Sequence, residues 1–500
     1  MVGPQKVRRL DAPIAVSLDQ LVPAGHCSRH LEATLDLGFI REWTRDQDAD
    51  RGRPGIDPVV FFTLQLIMFF EGIRSERRLV ETASLNLAHR SSLGYALDES
   101  LPDHSRLTRI RPRLGLALFE RFFEHVVDVC QTAGLVWGRE LCFDATKVQA
   151  DADLDTLTPR FAYDAKTHAA ELFAAAAPSP PDAPVPPGLI RLSGVETITS
   201  PVAVDPPWRL LEHHRLDPAR PTDEYQRLSA WHVSSTDPDA TPMRTGSRAS
   251  RGYHDHDVVD GGKARIILAA FVTPADVMEN VPMRDLLWRV CFRRKLWPQH
   301  VTADTTYATI EHIVALEDAG IRAYLPLADW DRTPLYGPSH VVYDRERDEF
   351  RCPEGQPLHR STAKHDVKAT VYRADAATCN ACPMKTAWTT STRGRTVQRL
   401  FDADYLDRVR AYHATAAYQK AMRKRQVWIE PLFAEAKDWH GLRRFRVRGL
   451  TNVNCQGLLV AAGQNLKRLL AATGWGRRHA PCGNLLAHPR QTASAGVTVP

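Results

Sequence analysis

The run Leu141-Cys142-Phe143-Asp144-Ala145-Thr146-Lys147-Val148-Gln149 is where the chain changes character. Upstream, from about residue 50, apolar residues recur at helical spacing. From Leu135 to Gln149 they alternate instead, around Leu141, Phe143 and Val148, which is the period of a strand. The strand carries one acid, Asp144. The position therefore divides an all-helical region from one in which strands and helices are mixed.

Working back, Asp57 and Pro58 suit an N-cap and a first helical residue. The helix they open, Val59 to Gly72, is apolar nearly all round and belongs in a core. Ser75 caps a second helix, Glu76 to about Leu87. Pro102-Asp103-His104-Ser105 starts a third, and Leu116 to Ala133 is a fourth. Arg74, Arg77, Arg78 and the string Arg106 to Arg113 would suit phosphate contacts or plain solvated faces.

Working forward, Tyr163 to Ala177 is Ala-rich and helical. It leads into a Pro/Ala/Ser-rich linker, 177–187, and an irregular insertion, 188–227. Strands resume near Val233 and strongly at Gly252 to Val272. There Asp260-Gly261-Gly262 between two β-rich runs signals a hairpin. Met278 to Cys291 contains a helix, and His300 to Asp304 is a short strand ending in an acid. Thr309 to Ala319 is a helix and Ile321 to Leu327 a strand. This is an α/β (α+β mixed) sheet with helices packed on it. Short strands and cysteines occupy 330–400. Helix returns from Asp402 to Phe445, and Asn454 to Ala472 is a final amphipathic helix before a disordered tail.

The segment Arg423-Lys-Arg-Gln-Val-Trp-Ile-Glu430-Pro-Leu-Phe-Ala-Glu-Ala-Lys437 sets one carboxylate among cations. Lys437 lies about two turns after Glu430, so both can face one side. The formal net charge of the 500 residues is +6. The bias is concentrated in Arg423, Lys424, Arg425, Lys437, Arg443, Arg444, Arg446 and Arg448. A stripe of that density favours a polyanion. Nine scattered cysteines suit a reducing cytoplasm. The first residues, 1–13, lack the apolar core of a signal peptide, and the longest apolar run is too short to span a bilayer, so no membrane is expected.

Asp144 and Asp304 sit at or near strand ends, and Glu430 on a late helix. Such a trio suits metal-dependent phosphoryl transfer, in which two divalent cations activate a nucleophile and stabilise the leaving oxygen. Mg²⁺ asks for a few carboxylates and leaves room for water and phosphate oxygens. Asp151, Asp153, Asp237, Asp239, Asp255, Asp257, Asp260 and Glu435 compete for the same roles.

Several ordered motifs resemble the bacterial insertion-sequence transposases of the DDE type. They are Gly55-Ile56-Asp57-Pro58, then Gly72 to Leu79, then Pro102 to Ser105. Asp144-Ala145-Thr146-Lys147 is similar to the family's first-aspartate strand, and Ala303-Asp304-Thr305-Thr306-Tyr307 to its second-aspartate motif. Ser235 to Ala240 and the Gly252–Pro274 hairpin also look familial. Glu430-Pro-Leu-Phe with Lys437, followed by Gly441 to Leu450, resembles the glutamate region. The resemblance covers most of residues 50 to 470. It implies an RNase H-like catalytic core, interrupted by insertions and preceded by an all-helical domain. Asp144, Asp304 and Glu430 would be the catalytic acids and the ligands of Mg²⁺ or Mn²⁺. Arg423, Arg425, Lys437, Arg443, Arg444, Arg446 and Arg448 would bind DNA, with Tyr418 loosely matched to a DNA-contacting tyrosine. Gln426 stands where related families place an arginine. The partners implied are double-stranded DNA, as transposon ends and target, and further copies of the chain in a homodimer or higher oligomer. The setting implied is cytoplasmic and nucleoid-associated.

Cys379 and Cys382, a C-x-x-C pair, with Cys352 upstream are candidate ligands of a structural Zn²⁺. They number three where four are needed, and His359 or His365 could complete the set; buried free thiols are the other reading. The expected organisation is an arm, 1–50; a helical DNA-binding or dimerisation domain, 51–135; and a catalytic core in three parts, 136–164, 228–330 and 401–473. The core is interrupted at 165–227 and 331–400 and followed by the tail 474–500. The implied function is cleavage and strand transfer at the terminal inverted repeats of the chain's own element. A nuclease of the same fold without strand transfer, and a catalytically silent DNA-binding derivative, stay open.

Overall fold

Asp57 and Pro58 begin the first long helix as their residue types dictate. The Asp57 carboxylate accepts the Val59 N–H at 2.9 Å, and Pro58, with no N–H to lose, takes the first helical position. The computed structural model describes residues 15–45, 55–175, 232–245, 248–328, 337 and 340–475. The Pro/Ala-rich linker, the insertion 188–227 and the tail beyond 475 fall outside the described residues.

The N-terminal region is helical throughout: α1 (Leu18–Leu21), α2 (Cys27–Thr34), α3 (Phe39–Thr44), α4 (Pro58–Phe70), α5 (Glu76–Leu85), α6 (Leu87–Leu93) and α7 (His104–Thr132). The helix α4 is buried along nearly its whole length, as its composition requires. Its Phe62 packs on Phe119 and Phe122 of α7, with ring centroids 5.3 and 4.7 Å away. Sequence spacing reads α7 as two helices, and the reason is Gly115. Its φ of 69° breaks the helical path at a value glycine takes at little cost.

The main sheet follows. It is built from β1 (Glu140–Gln149), β4 (Thr241–Thr245), β5 (Arg248–Asp260), β6 (Ile267–Pro274), β7 (His300–Thr302) and β8 (Arg322–Tyr324). Between β1 and β4, the short strands β2 (Leu157–Pro159) and β3 (His232–Ser234) pair separately, and α8 (Arg160–Ala175) follows β2. The order is β4-β5-β1-β7-β8, with β6 also on β5. On one edge of β5, β4 pairs with residues 248–252 and β6 with 253–259. On its other edge β5 runs antiparallel to β1, and β1, β7 and β8 run parallel. The helices α9 (Met283–Arg294) and α10 (Ile310–Asp318) make the connections a parallel sheet needs. This mixed sheet behind a helical domain is the fold class expected from the sequence.

Five short strands then form a second, antiparallel sheet: β9 (Val342–Asp344), β10 (Glu349–Arg351), β11 (Pro357–Lys364), β12 (Ala369–Ala374) and β13 (Thr396–Leu400). The helices α11 (Ala376–Ala381) and α12 (Lys385–Trp388) lie between the last two. Phe350, Leu358, Tyr372 and Trp388 give this sheet its own small core.

The chain closes with α13 (Ala403–His413), α14 (Ala416–Trp428), α15 (Glu430–Trp439) and α16 (Leu450–Ala472). The expectation of an amphipathic final helix from Asn454 needs correction. The helix begins at Leu450 and is buried along most of its length, because it is packed between α7, α4 and the edge strand β6. Its buried polar residues have set tasks. The Asn454 side chain accepts the Val272 N–H at 2.8 Å and donates to the Val272 carbonyl at 2.9 Å. Asn465 does the same at Ile267, both bonds at 2.8 Å. Eleven helical residues and five strand residues both span about 16.5 Å, so the two amides fall in register. At Gly457 a Cβ would come within 3.0 Å of Val272 Cγ2 and 3.3 Å of Asp255 Oδ1, so a side chain there would hold the helix off the sheet.

Candidate active site

Asp144 lies in the middle of β1, the central strand in the order β4-β5-β1-β7-β8. Its carboxyl is largely buried, and burial raises its pKa to about 6. Arg425 and the Ala145 N–H oppose the rise, while Asp304 and Glu279 add to it. The Arg425 guanidinium, from α14, meets Asp144 Oδ2 at 3.2 Å. Asp144 Oδ1 accepts the Ala145 N–H at 3.0 Å.

Asp304 follows the end of β7, which runs alongside β1. It caps the turn Thr305–Tyr307, its Oδ1 accepting the Thr306 N–H at 2.8 Å. The capping role and the field it exerts on Asp144 coexist. Glu279 was not singled out in the sequence. It precedes α9 and its pKa is raised by burial and by Asp304, with Lys147 opposing. His254 Nε2 stands 3.6 Å from its Oε1. Neither the alternation nor the hairpin pattern marks this residue, since the connection it lies in has no period.

Two further acids share the site. Asp257 faces Asp144 directly in the β1–β5 register, and Asp255 lies two residues along on the same face. Both are buried. Burial raises Asp255 to about 7, with Lys437 easing the rise. Burial also raises Asp257, with Asp255 and Asp144 adding and Arg468 easing. In the sequence these acids compete with the chosen trio as alternatives. In the fold they flank Asp144. Their i, i+2 spacing in a strand carried the signal, but the register that sets them against Asp144 is not written in local sequence.

Glu430 is the first residue of α15, just after the fully buried Ile429. It is exposed and makes no hydrogen bond or ion pair among the described residues. The flanking cations bracket Asp144: Arg425 touches it, and Lys437 lies within the field of Asp255 and Asp144. Burial and Arg443 nonetheless lower the Lys437 pKa. Glu435, the sequence rival of Glu430, is committed elsewhere. Lys467 Nζ, Arg468 Nη2 and His440 Nε2 approach it at 2.6, 3.1 and 3.7 Å. Burial pushes its carboxyl upward, but the His440 ring and the Arg468 and Lys467 cations hold it well below the usual range.

The basic positions separate into groups. Arg423, Arg443, Arg444 and Arg448 are exposed. Arg443 pairs with Asp438, and Arg444 and Arg448 each meet Asp151 at 2.9 Å. Tyr418 does not present itself to a ligand. It is buried against Tyr324 and His413, with ring centroids 5.7 and 4.4 Å away. Its loose match to a DNA-contacting tyrosine is therefore replaced by a packing role.

Among the described residues, no three His, Cys, Asp or Glu side chains are drawn together tightly enough to hold a metal ion. For the acids the reason is visible, since Asp144 and Asp304 turn oxygens to Arg425 and to backbone N–H groups. For zinc, Cys352, Cys379, Cys382 and His359 line one cavity of about 690 Å³ without gathering into a ligand set. The three thiols are free.

Residues 351–470 match the family described as Transposase DDE domain. Residues 16–113 match the family described as Transposase domain (DUF772). Both matched families are transposase families, which supports the resemblance to the DDE-type insertion-sequence transposases. No curated protein and no solved structure matches it. The matched DDE segment contains Arg425, Glu430, Lys437 and the arginines to Arg448, whereas Asp144 and Asp304 lie outside both segments. No helix among the described residues is long and apolar enough to cross a membrane.

Proposed function

We propose that the chain is a transposase that binds the terminal inverted repeats of its own insertion sequence, cuts the DNA there and joins the freed end to target DNA. The observation that supports it best is the meeting of Asp144, Asp304 and Glu279 around the central strand, with a single guanidinium against them. Asp304 and Glu279 raise the cost of ionising Asp144, and a divalent cation is the partner that relieves it. Asp144, Asp304 and Glu430 would hold Mg²⁺ or Mn²⁺, which supplies Lewis-acid activation of water or a 3′-hydroxyl and charge neutralisation at phosphorus.

The chain's own residues do the rest. Arg425 holds Asp144 ionised and oriented. The helix α15 carries Glu430 and Lys437 on one face, seven residues or about 10.5 Å apart, and Lys437 reaches the field of Asp144. Glu430, unpaired and exposed at the start of that helix, is available to turn toward the acids. Arg423 and Arg443 to Arg448 would neutralise backbone phosphates. The helical domain would contribute to end binding or to pairing of subunits. The organisation into an arm, a helical domain and a core interrupted twice is carried forward on the same reading.

The test is a cleavage assay with Mg²⁺ on DNA carrying the element's ends. Asp144→Asn, Asp304→Asn and Glu430→Gln should each bind the ends and fail to cut. Cutting at the normal rate by any of them removes that residue from the set. A plasmid target separates the alternatives: joined products are expected, and cutting without joining would mark a nuclease.

A further inference from the structure

We propose that the groove between the helical domain and a C-terminal basic arm, residues 443–448, is a seat for the sugar-phosphate backbone of duplex DNA, several nucleotides from the cut. The ligand's identity as DNA rests on the transposase reading above.

Two basic clusters far apart in sequence meet there. The groove, about 1280 Å³, is lined by Arg74, Arg77 and Arg111 from one side and Arg446 and Arg448 from the other. Against these five guanidiniums stand two lining carboxylates, Glu76 and Asp151. Both are already engaged: Glu76 by Arg111 and Thr108, and Asp151 by Arg444 and Arg448. The remaining charge is therefore uncompensated. The side chains of Arg446 and Arg77 have no hydrogen-bond or ion-pair partner among the described residues, while the Arg446 N–H donates to Gln456 Oε1 at 2.9 Å. Arg446 is the more telling, since burial and Arg111 lower its pKa to about 10, with Glu76 easing the fall. Arg446 is half-buried beside the like-charged Arg111, and an anion seated in the groove would relieve that crowding.

The backbone adds to this. Ser75 to Arg77 is the start of α5, His104 the start of α7 and Asn452 lies in the first turn of α16, and all line the same groove. Helix N-termini bring unsatisfied N–H groups and a positive end, which suits phosphate. The two walls are fixed to each other. Arg74 Nη2 donates to the Asp438 carbonyl at 3.1 Å, and the His440 ring stacks on Phe69 at 3.7 Å.

The fold also sets the distance to the acids. The Gln149 N–H donates to the Arg443 carbonyl, and the Phe445 N–H to the Gln149 carbonyl, so the arm runs beside the end of β1. From Asp144 to Gln149 is about 17 Å of strand, and Asp151 of the groove lies two residues on. At about 3.4 Å per nucleotide along one strand, the groove meets phosphates roughly five to seven nucleotides from the reacting bond.

The experiment measures binding of the full chain to a short duplex of arbitrary sequence in EDTA, across a salt series. Arg77→Gln and Arg446→Gln should each lower the slope of log K against log salt by about 0.9, and the double variant by about 1.8. Arg77 is exposed in a first helical turn, so its variant reads the groove even if Arg446→Gln does not fold. Unchanged slopes in the folded variants, or no binding by the unaltered chain, overturn the proposal. Cleavage with Mg²⁺ is assayed in parallel. Lowered slopes without cleavage would sink the transposase chemistry and leave the groove standing; cleavage with unchanged slopes would do the reverse.

Discussion

Asp144 on β1 and Asp257 on β5 stand directly opposite each other in an antiparallel pair, Asp257 buried and Asp144 largely so. Like charges so placed repel, and neither group can ionise cheaply while the other is charged. The site is therefore under electrostatic load before any ligand arrives.

That load has a pH sign. The folded pKa of Asp144 is about 6 and that of Asp255 about 7, both above the unfolded value of 3.8. A raised carboxyl pKa gives stability that is complete below the unfolded value and lost as pH rises through the folded one. Without divalent metal, stability should fall between about pH 4 and pH 7, with Asp144 contributing at most about 3 kcal/mol. Urea denaturation in EDTA checks it. Asp144→Asn should flatten the fall, and an identical pH slope in the variant would contradict the assignment.

Arg425 is the counterweight to Asp144. Arg425→Ala should cost roughly 1–3 kcal/mol at pH 8, where Asp144 is left charged and buried. At pH 5 Asp144 takes up a proton and the cost should shrink. Unfolding curves at the two pH values suffice, and an equal loss at both would point to packing instead.

Glu279 faces the acids without belonging to the chosen trio. Glu279→Gln should slow metal-dependent cleavage by about 10- to 100-fold through weaker metal affinity, as loss of a supporting carboxylate does. Excess Mg²⁺ should recover part of the rate, while end binding stays at its original strength. A rate equal to that of the unaltered chain at limiting Mg²⁺ would show that Glu279 plays no part.

Glu435 should behave as a structural residue. With Lys467, Arg468 and His440 around it, Glu435→Gln strips a buried network of its anion, at about 3–5 kcal/mol. Its depressed pKa means the stabilisation is complete above the unfolded value of 4.5 and is lost as pH falls from there through the depressed folded value. Thermal melts at pH 7 and pH 4 separate this from a catalytic role, in which stability would barely change.

Local chemistry made much of the architecture readable. Asp57 and Pro58 start α4 as read, Asp260-Gly261-Gly262 turns β5 into β6, and Asp304 follows a short strand. Each of these rests on contacts within a few residues. What escaped depends on partners far along the chain. Asp255 and Asp257 read as competing acids because strand register, not strand existence, brings them to Asp144. The last helix read as amphipathic because Asn454, Gln456, Gln464 and Asn465 are polar. All four are buried, and all four bond directly to backbone groups outside the helix. Tyr418 matched a motif by spacing, while the fold spends it on an aromatic cluster.

The pair of asparagines on α16 has one more effect. By taking both backbone groups of Val272 and of Ile267, they occupy bonding positions along β6 that a strand from another molecule would need. The rim of the sheet is sealed from within the chain. A second copy has to engage some other surface, and a chain stripped of these two amides should become prone to sticking edge to edge.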